Sequence, residues 1–90
     1  MSDETESAAE RSRADAVLAY IVDQLVDDRE AVTIDAEPAR NGGTKLSLRV
    51  AADDMGKVIG RRGRVAQSIR SVVRAAGAAD GHDVLVDIVD

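Results

Sequence analysis

Apolar residues near the start of the chain recur at intervals of three and four. From Ala14 to Asp27 they alternate with a polar face, which predicts an amphipathic helix. The apolar face consists of Val17, Leu18, Tyr20, Ile21, Val22, Leu25 and Val26. Residues 1–13 have no such period and are rich in Ser, Glu, Asp and Ala, so we expect a disordered acidic tail there and a folded domain over 14–90.

The spacing changes to strict alternation in the middle of the chain. In the first run Val32, Ile34 and Ala36 point one way, and in the second Leu46, Leu48 and Val50 do the same. Each run predicts a half-buried strand. Pro38 ends the first strand, and Asn41-Gly42-Gly43 supplies residues that tolerate positive φ, so the two strands are expected to form an antiparallel hairpin.

The second half of the chain predicts two helices and a strand. Asp53 is the expected N-cap of a short helix that carries Met55, Val58 and Ile59 and stops at Gly60. A longer helix opens near Gly63 and ends before Gly77. Its expected buried residues are Val65, Ile69, Val72, Val73 and Ala76. Alternation of Val84, Val86 and Ile88 with their neighbours gives a final strand.

The predicted order is therefore helix, strand, strand, helix, helix, strand. A helical crossover lets the second and third strands lie parallel in one sheet, beside the antiparallel hairpin partner. We predict an α+β domain in which three helices cover one face of a three-stranded mixed sheet. One domain is the limit for 90 residues, and with a single aromatic residue, Tyr20, its core must be aliphatic.

Charge is distributed unevenly along the chain. The net charge is −5, but between Gly56 and Ala79 there are six bases and no acid, which leaves −11 for the rest. The six bases are Lys57, Arg61, Arg62, Arg64, Arg70 and Arg74. Because the Debye length is about 8 Å at physiological salt, a ligand on this segment responds to the local charge. An anionic partner is compatible with this acidic protein.

Several function classes lack the residues they need. Without cysteine there is no disulfide, thiolate zinc site or thiol nucleophile. His82 stands alone, Asp53 and Asp54 fit a helix cap better than a catalytic pair, and no nucleotide-binding P-loop is present. We expect a non-enzyme without cofactor, metal or small-molecule substrate. With no signal peptide and no apolar run near the ~18 residues of a membrane span, we expect a cytoplasmic location and no membrane partner.

Candidate chemistry concentrates in Gly60-Arg61-Arg62-Gly63, the short connection between the two predicted helices. Glycines at both ends allow unusual φ/ψ values and close backbone approach to a ligand. The following helix presents free N–H groups and a positive dipole end, which favour a phosphate. The side chains of Arg61 and Arg62 add positive charge, and Lys57 and Arg64 extend it on either side.

The segment Val58 to Ile69, V-I-G-R-R-G-R-V-A-Q-S-I, resembles the signature of KH domains. The helix-strand-strand before it is similar to the type II arrangement, and the short length, Met55 to Arg61 and the terminal V-D-I-V-D resemble the bacterial KhpA family. The resemblance implies single-stranded RNA held by the Gly-x-x-Gly loop, with bases over an aliphatic floor that includes Ile59 and Val65. It also implies a homodimer or a heterodimer with a larger KhpB-type protein, RNA-chaperone activity in post-transcriptional regulation, and a role in cell shape and envelope homeostasis.

Alternative interpretations remain open at this point. The chain could mainly be a protein-interaction subunit that uses the helix of Val65 and Ile69 or a sheet edge, and single-stranded DNA could replace RNA. Arg70 and Arg74 are expected on a solvated helix face. Since Phe and Trp are absent, bases cannot stack on aromatic rings, and we predict weak, salt-sensitive RNA binding of low specificity.

Overall fold

A computed structural model describes residues 2–40 and 42–89, with side chains from Arg13 onward. The elements are α1 (Ser2–Leu25), β1 (Thr33–Pro38), β2 (Thr44–Arg49), α2 (Met55–Ile59), α3 (Arg64–Ala79) and β3 (Val84–Ile88). The predicted α-β-β-α-α-β order is confirmed. Among these residues, no helix combines the length and apolar character needed to cross a membrane.

Helix α1 starts at Ser2, earlier than the predicted start at Ala14. The buried side chains on it are four residues apart: Ala14, Leu18, Val22 and, just beyond the helix, Val26. Tyr20, which we placed on this apolar face, is 68% exposed. It stands two positions from Leu18 and from Val22, which on an α-helix is about 200° round from both. The predicted disordered tail, residues 1–13, lies almost wholly outside the described side chains and stays a prediction.

The sheet has the predicted mixed topology, in the order β1-β2-β3. β1 is antiparallel to β2, with Ile34 opposite Leu48, and β2 is parallel to β3, with Leu48 opposite Ile88. The Ala39 N–H donates to the Gly43 carbonyl at 2.8 Å and closes the hairpin. Asn41, predicted to take part in this turn, lies outside the described residues.

The core lies between the helices and one face of the sheet, as predicted for this α+β class. Its sheet side consists of the buried residues Leu46, Leu48, Val84 and Val86. The hairpin strand β1 is covered less than we predicted, because Ala36 is exposed although it shares the inward face with Ile34. β1 is the edge strand on the far side of β2 from β3, and α3 packs on β3.

Helix α3 continues two residues past Gly77, the residue at which we predicted that it stops. Gly77 is buried within the helix, where a Cβ would lie 2.4 Å from Cγ2 of Val84. Its role is therefore to let β3 approach the helix closely, and the chain turns instead at Gly81, whose φ is +79°. The prediction that Val72 is buried was also wrong, since its side chain is 49% exposed.

Helix α2 stops at Gly60, as predicted, but its cap is not Asp53. A turn of 3-10 helix, Ala52–Asp54, precedes α2 and places Asp54 at the N-cap position. The Asp54 side chain makes no cap hydrogen bond, because it is engaged with the chain that follows α1. The first half of the crossover from β2 to β3 is thus tied to α1, and it leads directly into the loop of interest.

Candidate functional site

The connection between α2 and α3 is a surface loop of four residues, Gly60 to Gly63. Arg61–Gly63 form one turn of 3-10 helix between the two α-helices. The Gly60 N–H donates to the Gly56 carbonyl at 2.9 Å and the Gly63 N–H to the Gly60 carbonyl at 3.2 Å. The amides of Arg61 and Arg62 precede the first hydrogen bond within this turn, so the turn itself offers them no acceptor. They are the backbone donors that a ligand at the loop can use.

Three of the four loop residues have positive φ. The values are +74° at Gly60, +56° at Arg62 and +72° at Gly63. Among the described residues, Arg62 is the single non-glycine residue with a positive φ. This left-handed conformation costs a residue with a side chain about 1 kcal/mol. Unusual backbone conformations of this kind concentrate at binding sites, where the surrounding structure maintains them.

The two glycines are needed for different reasons. A Cβ on Gly60 would lie 2.3 Å from Cγ2 and 2.9 Å from the backbone nitrogen of Val65. A Cβ on Gly63 would meet nothing within 4 Å. Gly60 is therefore required by packing as well as by its φ, whereas the space beside Gly63 is open to a ligand.

Arg61, Arg62 and Arg64 are exposed at the end of this loop. Within the described chain none of their side chains takes part in an ion pair or a side-chain hydrogen bond. Arg61 and Arg62 directly precede the 16-residue α3, and Arg64 is its first residue, at the end where the helix dipole is positive. The loop thus brings together three cations, free amides and a helix N-terminus, a combination suited to phosphate.

Lys57, the fourth predicted cation, is already paired. Its ammonium contacts the carboxylate of Asp27 and lies 3.4 Å from Oδ1 of Asp54. The hydrogen bond to Asp27 is the main cause that raises the pKa of Lys57 above its usual 10.5. Its charge is offset by two acids, so Lys57 differs from the three free arginines.

The predicted aliphatic floor is half-buried. Ile59, the last residue of α2, and Val65, the second residue of α3, both pack against the core while keeping part of their surface accessible. Arg70, expected to be solvated, is half-buried, and its Nε donates to the Val86 carbonyl of β3 at 3.4 Å. Arg74 is exposed, as expected.

Asp54 is the residue at this site that sequence reasoning missed. Its side chain is buried, and its two oxygens accept the N–H groups of Asp27 and Asp28 at 3.2 and 3.0 Å. Donation from Asp28, then from Asp27, holds the pKa of Asp54 below its usual 3.8. The available signal was its i,i+3 spacing to Lys57. In the chain as described, no three His, Cys, Asp or Glu side chains cluster as metal ligands would.

Known proteins resemble this chain over nearly the whole folded domain. The family described as "KhpA/KhpB, KH domain" matches residues 15–88. The RNA-binding protein KhpA of Streptomyces coelicolor is 44% identical over 73 residues, which cover 81% of this chain and 87% of the relative. The RNA-binding protein KhpA of Treponema pallidum is 39% identical over 74 residues, or 82% and 91% of the two chains.

A third relative has a similar degree of identity. The RNA-binding protein KhpA of Caldanaerobacter subterraneus is 42% identical over 69 residues, which cover 77% of this chain and 91% of the relative. No solved structure matches the chain. The family match spans the second part of α1 from residue 15, the helices α2 and α3, the sheet and the loop from Gly60 to Gly63. The chain therefore belongs to the KhpA/KhpB family of KH-domain proteins.

Proposed function

We propose that this protein binds single-stranded RNA at the loop Gly60 to Gly63. The observation that carries the proposal is the group of three exposed, unpaired arginines on a glycine-bounded loop at the start of α3. A phosphate of the RNA accepts from the amides of Arg61 and Arg62, and their guanidinium groups bind the neighbouring phosphates. The names of the relatives, each an RNA-binding protein KhpA, support RNA as the nucleic acid.

The bases then lie against the exposed parts of Ile59 and Val65. These side chains flank the loop on its two helices, so a strand held at the loop passes over them. An aliphatic surface excludes water from bases without reading their edges. Binding is accordingly driven by phosphate contacts and has little sequence preference.

The test removes loop charge while leaving the backbone unchanged. Arg61→Gln combined with Arg62→Asn removes two charges, and Asn tolerates the positive φ at position 62. Gly60 is left as it is, because any side chain there collides with Val65. The control, Arg40→Gln with Arg49→Gln, removes two charges from exposed residues in the hairpin turn and at the end of β2.

Binding of a labelled oligouridylate is measured by fluorescence anisotropy over a range of salt concentrations. We expect the loop variant to lose affinity on the order of tenfold and its salt slope to fall by about 1.4 for two phosphate contacts. The control variant keeps the wild-type slope, and both variants keep the wild-type circular dichroism. Equal losses in the two variants would show that the loop is not the binding site.

We also propose the biological setting that the family resemblance implies. The protein acts in the cytoplasm as an RNA chaperone in post-transcriptional regulation, as a homodimer or with a larger KhpB-type protein, and affects cell shape and envelope homeostasis. Crosslinking and sequencing of bound RNA, with wild type and with the loop variant, tests this setting. Transcripts recovered equally with both proteins would contradict it.

A protein-interaction subunit is the second candidate function, and exposed apolar side chains favour it. Val72 on α3 and Leu85 on β3 are each about half exposed, at 49% and 48%. Val72→Asp is expected to weaken association with a second copy or a KhpB-type protein while RNA binding persists. If the Arg61/Arg62 variant also loses association, RNA binding and protein association use the same surface.

A further inference from the structure

Asp54 is a buried carboxylate at the base of α2. It is 2% exposed and occupies the N-cap position of this helix without capping it. Its Oδ1 accepts the Asp27 N–H at 3.2 Å and its Oδ2 accepts the Asp28 N–H at 3.0 Å. Both donors belong to the segment between α1 and β1, so Asp54 joins α2 to the end of α1 across 26 and 27 residues of sequence.

Lys57 closes the same junction one turn further along α2. Its ammonium bridges Asp27 and Asp54, the former through the exposed carboxylate and the latter through Oδ1 at 3.4 Å. The other charged residues of the segments that meet here are all exposed: Asp28, Arg29, Glu30 and Asp53. One buried acid, one cation and one exposed acid thus hold two segments together. We call Asp27, Asp54 and Lys57 the latch.

The latch lies immediately before the loop. Helix α2 has five residues, Met55–Ile59, and is about 7.5 Å long. A helix this short is not stable by itself, so its direction is set by what holds its ends. Val58 anchors it in the core and the latch fixes its first turn, and Gly60 follows its last residue directly. A tilt of α2 therefore moves Gly60 and the amides of Arg61 and Arg62.

We propose that Asp54 and Lys57 are positioning residues for the Gly60 to Gly63 loop, and that Lys57 promotes RNA binding through Asp54 instead of by contacting phosphate. This inference rests on the proposed function of the loop. The geometry separates the two possible roles of Lys57. A cation that is shared between two carboxylates releases few counterions when RNA binds, whereas a free cation on a phosphate releases close to one.

A double-mutant cycle tests the latch. The variants are Lys57→Gln, Asp54→Asn and the two combined, with oligouridylate affinity measured over a range of salt concentrations. We expect each single variant to lose affinity on the order of fivefold. The double variant should bind RNA no more weakly than the single variant with the lower affinity, because the two residues act as a unit. The salt slope of all three stays at the wild-type value.

Two further variants separate positioning from general stability. Lys57→Arg keeps a cation within reach of both carboxylates, so it should retain wild-type affinity where Lys57→Gln loses it. Lys45→Gln removes a lysine that pairs with Glu37 at 3.9 Å on the opposite face of the sheet, and it leaves affinity unchanged. In the RNA-free protein, well below its melting temperature, Lys57→Gln and Asp54→Asn shift the amide resonances of Arg62 and Gly63, whereas Lys45→Gln does not.

Additive losses, with a salt slope that falls by about 0.7 in Lys57→Gln, would overturn the proposal, because that is the behaviour of one lost phosphate contact. Unchanged affinity in Asp54→Asn would overturn it too. If Asp54→Asn does not fold, the proposal is tested with Lys57→Gln and Lys57→Arg alone. The salt slopes of their RNA affinity and the amide resonances of Arg62 and Gly63 then give the answer. Failure of the loop itself is recognised separately, because the Arg61/Arg62 variant would then bind RNA normally.

Discussion

Gly60 and Val65 are in such close contact that no side chain fits between them: a Cβ on Gly60 would lie 2.3 Å from Cγ2 of Val65. Val65 belongs to the first turn of α3 and Gly60 ends α2, so this contact sets the angle at which the two helices meet. The same contact explains why the two loop glycines respond differently to substitution.

Gly60→Ala is expected to destabilise the protein more than Gly63→Ala. Both residues have positive φ, which costs alanine about 1 kcal/mol. Only Gly60 adds a collision with the backbone of Val65. Urea unfolding followed by circular dichroism should give a loss of about 1 kcal/mol for Gly63→Ala and a clearly larger loss, or no folded protein, for Gly60→Ala. Equal losses would contradict the contact described here.

Leu18→Ala is expected to cost about 2 to 5 kcal/mol of unfolding free energy, because it leaves a cavity in a core without aromatic residues. The side chain of Leu18, on α1, is fully buried in the hydrophobic core. Tyr20→Ala, two positions away, is the control and should change stability by less than about 0.5 kcal/mol. A large loss for Tyr20→Ala would mean that its ring is covered, contrary to its 68% exposure.

The stability of the protein is expected to fall in acid partly because of Asp54. The N–H groups of Asp28 and Asp27 lower its pKa in the folded state below the usual 3.8. A lowered pKa means that the carboxylate stabilises the fold above pH 3.8 and that this contribution is lost as the pH falls through the folded-state pKa.

The urea midpoint measured against pH checks this contribution. The difference between wild type and Asp54→Asn should be largest near neutral pH and should shrink below pH 3.8. Asp53→Asn is the control, since the Asp53 side chain is exposed. A difference that is constant with pH would show that Asp54 does not titrate with the predicted sign.

RNA affinity of the isolated monomer is expected to be weak and strongly salt-dependent. Stacking on an aromatic side chain contributes about 1 to 3 kcal/mol per base, and the chain has no aromatic residue besides Tyr20, which lies on α1. Anisotropy with homopolymers of each base should give similar affinities that fall together with added salt. Nanomolar affinity of the monomer for one short sequence would contradict this prediction.

Local patterns in the sequence were enough to predict the order of the elements and the place of the loop. Alternation in β2 and β3, the helical period of α1 and the glycines at 60 and 63 are local signals, because backbone conformation and amphipathic spacing depend on neighbouring residues. These signals were sufficient for the mixed sheet, since parallel neighbouring strands need a helical crossover such as the one between β2 and β3.

Which side chains have partners became evident only from the fold. Lys57 was predicted from its position to extend the positive charge of the loop, and only the fold shows that it also pairs with Asp27, 30 residues away. Gly77 was predicted to stop α3, but the fold shows that a glycine is needed there because Val84 packs directly against it. Tyr20 and Val72 were placed in the core by their apolar character, yet the helix packing left both exposed. Each of these outcomes depends on contacts between segments distant in sequence, which local patterns do not encode because many partners satisfy the same period.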